Sequence, residues 1–243
     1  ILTKIQLQAG HRLLDIGCGW GALVLRAAEK FGAQCVGVTL SQNQYDLATE
    51  RVKAAGLSDR IEIRLQDFRD VEGQFDRISS VGMFEHVGKA NLPNYFSRIR
   101  ELLTDDGIAM NHGITSTIIE EEDLLGGREF IDRYVFPNGE LPHISLALEA
   151  AQRGGLEAID IESLRRHYAR TLDIWTQNFE QRAAEILQLV GEEKFRIWRV
   201  YLAGCAYTFE HDDASIYQIV CRKAGRSSQE IPWSRHYMYK GND

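Results

Sequence analysis

The stretch Arg12-Leu13-Leu14-Asp15-Ile16-Gly17-Cys18-Gly19-Trp20-Gly21 decides the fold of this 243-residue chain. An apolar run ends next to an acidic residue, three glycines alternate after it, and residues 22–31 carry apolar side chains at helical spacing. This pattern predicts a strand, a tight turn that lets a ligand approach the backbone, and a helix. The GxGxG spacing lacks the third glycine of the dinucleotide fingerprint, and no acidic residue ends the second strand, so an NAD-type site is disfavoured.

Outward from this turn, short apolar runs alternate with amphipathic stretches, which is typical of βαβ units. The predicted strands are 12–17, 35–40, 61–65, 75–81 and 107–112, and the predicted helices are 22–31, 41–56 and 91–103. This order predicts an α/β fold with an open, doubly wound, mostly parallel sheet. Ligands of such sheets bind beyond the carboxyl ends of the strands.

Beyond Gly113 the rhythm of the sequence changes. An acidic run at 120–123 fits a solvated loop. The strand-like and helical segments that follow are 156–161, 172–189, 192–209 and 216–221. We predict a single domain over 1–243, with a helical lid inserted within 113–212.

Composition narrows the classes of function. The chain carries 28 basic and 35 acidic side chains, a net charge of −7, which argues against nucleic acid as a partner. No apolar run reaches the length of about 20 residues that spans a bilayer, and no secretory signal is present. Four scattered cysteines predict free thiols, no metal site and a cytoplasmic location. Because the chain begins with Ile1, we expect an upstream segment to be missing from it.

Several blocks of sequence carry a resemblance to a known family. LLDIGCGWG (13–21), VGVTLSQNQ (36–44), QDFRD (66–70) and VGMFEHVG (81–88) resemble the cyclopropane-fatty-acyl-phospholipid synthases, which include the mycolic acid cyclopropane synthases. The resemblance implies a seven-stranded class I methyltransferase sheet, Rossmann-like, with S-adenosylmethionine as cofactor. The positions that match cofactor-binding residues of the family are Asp15, Gly17, Gly19, Gly21, Thr39, Leu40, Gln44, Asp67 and Phe68.

The resemblance also implies a catalytic group. Methyl transfer to an isolated cis double bond generates a carbocation, so the site must be dry and must hold a base that removes one proton. In the family this base is bicarbonate, and its ligands match Glu85, His112, Tyr168 and the backbone of Ile114. Glu85 also fits an acidic residue at a helix N-terminus, and Tyr168 also fits a packed aromatic residue.

Two further features stay open between function and structure. Cys205 fits a buried thiol better than an active-site residue, although the family's matching cysteine has been proposed for the active site. A second family cysteine lies in an upstream block that this sequence lacks, which leaves the base site in question. The large apolar side chains of the second half fit a channel for an acyl chain or ordinary core; they are Tyr134, Phe136, Ile174, Trp175, Phe179, Trp198, Tyr201 and Phe209.

The predicted function is formation of cyclopropane rings on unsaturated acyl chains of phospholipids. The alternatives are methylation of an acyl chain without ring closure, methylation of another small molecule, and an inactive cofactor- or lipid-binding module. We expect peripheral contact with the inner membrane surface, and the resemblance allows a homodimer. The basic residues that fit contact with lipid phosphates are Arg165, Arg166, Arg170, Arg182, Arg196 and Arg199.

Overall fold

The computed structural model describes residues 1–118, 127–137, 139–226 and 231–239. The acidic run predicted to be a solvated loop, 120–123, lies outside the described residues. Among the described residues, no helix is both long and apolar enough to span a bilayer.

One seven-stranded sheet, in the order β3-β2-β1-β4-β5-β7-β6, organises the chain. β1 to β5 are parallel, and β7 lies antiparallel between β5 and β6. The strand order reverses between β1 and β4, which confirms the predicted doubly wound sheet and marks the expected ligand edge. The strands are β1 (Arg12–Ile16), β2 (Gln34–Thr39), β3 (Ile61–Leu65), β4 (Phe75–Val81), β5 (Leu103–Ser116), β6 (Leu156–Ser163) and β7 (Ala214–Lys223).

Helices cover the sheet and extend beyond its carboxyl edge. They are α1 (Ala22–Phe31), α2 (Gln42–Ala54), α3 (Leu92–Leu102), α4 (Gly127–Tyr134), α5 (Ile144–Arg153), α6 (Arg165–Gln181) and α7 (Ala183–Glu210). The sequence did not predict α5, and α6 begins before the predicted residue 172. Gly191, with φ of 79° and ψ of 167°, interrupts α7, as the predicted break between the two helices required. The range 113–212 therefore contains the lid helices together with α5 and β6, which belong to the layers of the sheet.

The N-terminal segment, residues 1–7, packs on one face of the sheet. Leu2, Ile5 and Leu7 are buried in the same apolar cluster as Ile108 and Met110 of β5. The segment therefore forms part of the core.

The cysteines at 18, 35, 205 and 221 are free, as predicted.

Gly113 of β5 allows the turn after β4 to lie directly on the sheet. A Cβ atom at this position would stand 2.1 Å from the ring of Phe84, a side chain that is almost completely buried. The turn Phe84–His86 is a 3-10 helix, so its close approach to β5 depends on the missing side chain.

We therefore expect Gly113→Ala to lower the free energy of unfolding by about 1–3 kcal/mol, because the Phe84 ring has no room to move aside. Gly204→Ala is the matched control, since no atom lies within 4 Å of a Cβ built there and alanine favours the helix. Urea unfolding measures both variants. Equal stability of Gly113→Ala and the parent would contradict the packing described here.

Candidate active site

A cleft of about 840 Å³ opens beyond the carboxyl ends of the central strands. Six residues that the sequence predicts to bind the cofactor line it: Gly17, Thr39, Leu40, Gln44, Asp67 and Phe68. The opposite wall comes from the turn after β4 and from α3, through Met83, His86, Val87, Asn91 and Tyr95. Sequence reasoning named none of these wall residues as ligands, although the VGMFEHVG block contains three of them. The ring of His86 also meets the Phe136 ring edge to face, with centroids 5.8 Å apart.

The glycine loop bends sharply between β1 and α1. The backbone N–H groups of Gly17 and Cys18 both donate to the carbonyl of Val38, at 3.0 and 2.9 Å. Gly21 precedes α1 with φ of 80°, and a Cβ atom there would lie 3.1 Å from Ala48 of α2. Glycine at this position therefore permits both the left-handed backbone and the close approach of two helices.

Asp15 is a buried carboxylate beneath this loop. Its side chain is 3% exposed, and its Oδ1 accepts a 2.7 Å hydrogen bond from the hydroxyl of Ser79 on β4. Burial raises the pKa of Asp15 to about 6, although the Ser79 bond opposes the shift. Among the described residues no cation lies against it. Asp15 is not itself one of the residues that line the cleft, although its neighbours Ile16 and Gly17 are.

Thr39, Leu40 and Gln44 form the corner where β2 meets α2. The Thr39 hydroxyl donates to Oε1 of Gln44 at 2.7 Å and accepts from the backbone N–H of Ser41 at 3.1 Å. Ser41 caps α2, as the sequence predicted. Leu40 is 75% exposed, so a bound ligand could cover its apolar surface.

Asp67 and Phe68 follow β3 at the far end of the cleft. The Asp67 carboxylate accepts hydrogen bonds from Arg69 through the backbone N–H at 2.9 Å, Nε at 3.0 Å and Nη2 at 2.6 Å. These bonds hold the pKa of Asp67 below its ordinary value. The Phe68 ring meets the buried Tyr95 ring edge to face, with centroids 5.6 Å apart. Arg69 and Tyr95 therefore orient Asp67 and Phe68, two of the positions that the resemblance matches to cofactor-binding residues.

Glu85 lies in the turn after β4 and is 7% exposed. Its Oε1 accepts a 2.7 Å hydrogen bond from the backbone N–H of Ile114 on β5. The second oxygen, Oε2, is buried and has no hydrogen-bond partner in the described part of the chain. Burial raises the pKa of Glu85, opposed by bonds from the backbone of Ile114 and of Glu85 itself. A carboxyl group with a raised pKa and one unpaired oxygen can exchange a proton with a bound group.

His112 lies two residues before Ile114 on β5. Its ring Nδ1 is buried and has no partner among the described residues. Burial lowers the pKa of His112 to about 4, and the positive charge of Lys4 acts in the same direction. The imidazole is therefore neutral at physiological pH. Among the described residues, no hydrogen bond joins its Nδ1 to Glu85.

Tyr168 and Cys205 approach from α6 and α7. They share an apolar cluster with Ile114 and Phe209, and the Tyr168 ring stands edge to face with Phe209 at 4.8 Å. Burial raises the pKa of Tyr168, and the nearby side chains of Cys205 and Glu85 raise it further. Burial also raises the pKa of Cys205, opposed by a hydrogen bond with Tyr201. Cys205 is thus a neutral thiol, which favours the interpretation as a buried small side chain. Glu85, His112, Ile114, Tyr168 and Cys205 form what we call the candidate reaction site.

Aromatic rings lead from the cleft to the lid. The Phe136 ring lies between the rings of His86 and Tyr201, and its centroid is 5.9 Å from that of Tyr201. The centroid of the Tyr201 ring is in turn 5.3 Å from that of Trp198. Trp198 is 44% exposed. These rings make a continuous apolar wall between the cofactor cleft and the outer surface of α7.

Half of the predicted basic set is already paired with acids. Arg165 contacts Asp212 at 3.1 Å, and Arg199 contacts Glu180 through two hydrogen bonds. Arg196 pairs with Glu192, one turn earlier on α7. The positive charge that these helices offer to an anionic surface is therefore smaller than the sequence suggested.

Comparison with known proteins agrees with the geometry. The family model described as mycolic acid cyclopropane synthetase matches residues 1–219. A probable fatty acid methyltransferase of Pseudomonas putida is 46% identical over 244 aligned positions, covering 99% of this chain and 62% of the relative. The cyclopropane-fatty-acyl-phospholipid synthase of Escherichia coli K12 is 38% identical over 220 positions, covering 90% of this chain and 55% of the relative.

A solved structure matches the fold. The mycolic acid cyclopropane synthase CmaA1, complexed with SAH and CTAB, superposes with a TM-score of 0.86 at 35% identity, covering 91% of this chain and 81% of that one. This chain thus spans between half and two thirds of the length of the two curated relatives above. It belongs to the mycolic acid cyclopropane synthetase family of S-adenosylmethionine-dependent methyltransferases.

Proposed function

We propose that this chain transfers a one-carbon unit from S-adenosylmethionine to the cis double bond of an unsaturated acyl chain in a phospholipid and closes a cyclopropane ring. The observation that carries the proposal is the unpaired Oε2 of the buried Glu85, beside an aromatic wall and the cofactor cleft. A group of this kind suits removal of a proton in a dry, apolar site.

The cleft fits the proposed cofactor, which supplies an electrophilic methyl group when bound. Asp15 offers an acidic group for the ammonium of the methionine end. Thr39 and Gln44 present polar groups for the ribose at the corner of β2 and α2. Asp67 and Phe68 hold the adenine end, the first by accepting a hydrogen bond and the second by stacking.

The surroundings of the candidate reaction site suit a carbocation on the acyl chain. The double bond gains a methyl group, and loss of one proton from that methyl group closes the ring. Aromatic faces such as those of Phe136 and Tyr201 stabilise a nearby positive charge. The raised pKa of Cys205 keeps its thiol protonated, so that it does not trap the cation as a nucleophile.

Bicarbonate, when bound, would supply the base for this step. The unpaired Nδ1 of His112 and Oε2 of Glu85 are buried polar atoms that fit a small anion, and Tyr168 lies against the same site. The N–H of Ile114 already donates to Glu85, so an anion would share that donor or would accept a hydrogen bond from protonated Glu85 instead. In either arrangement His112, Tyr168 and protonated Glu85 hold the anion.

Methylation without ring closure is the second candidate, because a relative that is 46% identical is named a probable fatty acid methyltransferase. The two reactions share the first step and differ in the atom that loses the proton. An inactive cofactor- or lipid-binding module is the remaining alternative, and retained binding of S-adenosylmethionine together with unchanged lipids would indicate it.

We also propose that the lid meets a lipid surface on the cytoplasmic side of the membrane. Arg166, Arg170 and Arg182 are exposed on α6 and at its end, and Leu189 of α7 is 82% exposed. Basic side chains attract anionic lipid headgroups, and an exposed leucine adds apolar contact. A homodimer stays a prediction.

Lipid mass spectrometry tests the reaction. In cells that express the full-length gene and are fed methionine with a deuterated methyl group, we expect acyl chains that gain one CH2 unit and lose their double bond. Ring closure removes one of the three methyl deuterons, so two remain. A methyl branch that keeps its double bond and all three deuterons would identify the second candidate instead.

Glu85→Gln tests the proposed role of the carboxyl group. Glutamine keeps an acceptor for the Ile114 N–H but cannot exchange a proton, so we expect ring formation to fall by about a hundredfold or more while S-adenosylmethionine still binds. Glu149→Gln, at an exposed position of α5, is the control. Full activity of Glu85→Gln would rule out this role.

Asp15→Asn separates cofactor binding from stability. Because the pKa of Asp15 is raised from 3.8 to about 6, its favourable contribution to folding is complete below about pH 4 and is lost as the pH rises through 6. Above pH 6 the variant should therefore be more stable than the parent, by about 3 kcal/mol at the limit, and the gain should vanish near pH 4. Thermal melts at several pH values measure this, with the exposed Asp59→Asn as control.

The same variant should lose cofactor affinity. In the parent, binding of S-adenosylmethionine should weaken about tenfold per pH unit below 6, since the ammonium needs an ionised partner. In Asp15→Asn the affinity should be low and independent of pH between 5 and 8. Calorimetry decides this, and a pH-dependent affinity in the variant would show that another group is responsible.

A further inference from the structure

A C-terminal strap, residues 231–239, meets the N-terminal segment at the edge of the sheet. Its centre is the short 3-10 helix Arg235–Met238, which Ser234 caps. The family model ends at residue 219, so the family match does not account for the strap.

Arg235 ties the strap to the edge strand β6. Its Nε lies 2.8 Å from Oδ2 of Asp160, and its Nη2 lies 3.4 Å from Oε1 of Glu162. Glu162 also pairs with Lys4 of the N-terminal segment. The side chains of Asp160 and Lys4 are only 12% and 11% exposed, so this network is less screened by water than an exposed ion pair. Arg235 thus acts on Lys4 through Glu162.

Tyr237 adds a direct contact to the same segment. Its hydroxyl donates a 3.1 Å hydrogen bond to the carbonyl oxygen of Lys4. The strap therefore holds Lys4 twice, once through its side chain and once through its backbone.

The N-terminal segment in turn shapes the surroundings of His112. Leu2 and Ile5 pack against Ile108 and Met110, and alternation along β5 places His112 on the same face as those two residues. A side-chain charge that acts on His112, the Lys4 ammonium, comes from this segment. Its partners on the neighbouring strands, Val81 and Gln218, are uncharged.

We propose that Arg235 and Tyr237 are positioning residues, which hold the N-terminal segment against β5 and thereby fix the environment of His112. The importance of His112 for catalysis rests on the proposed function. The structural coupling between the strap and His112 does not, because it is defined by contacts within the chain.

Arg235→Ala and Tyr237→Phe in the 243-residue chain test the coupling. Hydrogen exchange at the amides of Ile5, Gln6 and Leu7, which bond to carbonyls within the segment, should quicken by about tenfold. Arg153→Ala, which removes an exposed ion pair on α5, is the control and should leave these amides unchanged. If Arg235→Ala does not fold, Tyr237→Phe, which removes one hydroxyl group, still gives the answer.

The second readout is the NMR titration of His112. Release of Lys4 removes a positive charge and lets water reach the ring, and both changes favour the charged imidazole. The pKa of His112 should therefore rise from about 4 toward 6.5 in both strap variants. Faster exchange with an unchanged titration would overturn the proposal, since the strap would then only stabilise the fold, and unchanged exchange would overturn it as well. Neither measurement uses cofactor or acyl substrate, so the outcome is independent of the reaction proposed above.

Discussion

The burial of the Asp15 carboxylate is the constraint on which the cofactor side of the molecule depends. Asp15 lies in the centre of the sheet, opposite Gly37 on β2 and Ser79 on β4. The single hydroxyl group of Ser79 replaces only part of the hydration of a negative charge, so ionised Asp15 lowers the free energy of unfolding. A ligand that brings a positive charge removes the cost. The same geometry that binds a cation therefore makes the protein less stable without one, as expected of a site organised for binding.

Burial acts in the same direction on the side chains of the candidate reaction site. Glu85, His112, Tyr168 and Cys205 all have pKa values displaced in favour of the neutral form. A carbocation requires such an environment, because an ionised thiol or tyrosine would react with it. One physical effect thus serves two purposes. It leaves Asp15 without a charged partner, and it favours the uncharged forms of the side chains in the candidate reaction site.

Much of the fold could be predicted because its signals are local. The strand, the glycine turn and the Ser41 cap are each encoded within a few neighbouring residues. Helix α5 was missed because its N-cap is His143, which is not a usual capping residue, and because its buried face consists of alanines that give little contrast in hydrophobicity. The first turns of α6 were missed because the block RRHYAR is mostly polar, and Ala169 is buried only through packing with other elements.

The candidate site likewise contains residues that local sequence signals locate and contacts that only the folded chain brings together. Its cofactor residues lie in contiguous blocks of sequence, so a resemblance locates them together. Its paired arginines could not be anticipated, since Arg199 and Glu180 are 19 residues apart and meet only when α6 and α7 pack side by side. The bond between Glu85 and the N–H of Ile114 gives no sequence signal either, because every residue except proline carries that donor.

That backbone bond also addresses a difficulty of the proposed chemistry, which is how a carboxylate and an anion occupy one site. The Ile114 N–H engages Oε1, so a proton on Glu85 is better placed on the unpaired Oε2. Burial raises the pKa of Glu85, which favours this protonated form over the carboxylate. Glu85 then faces the site as a hydrogen-bond donor, together with the neutral His112. Two donors fixed on β5 and on the turn above it attract an anion, whereas an ionised Glu85 would repel it. The hydrogen bond from the Ile114 N–H thus favours Oε2 as the oxygen of Glu85 that carries a proton, a preference that the residue types alone do not give.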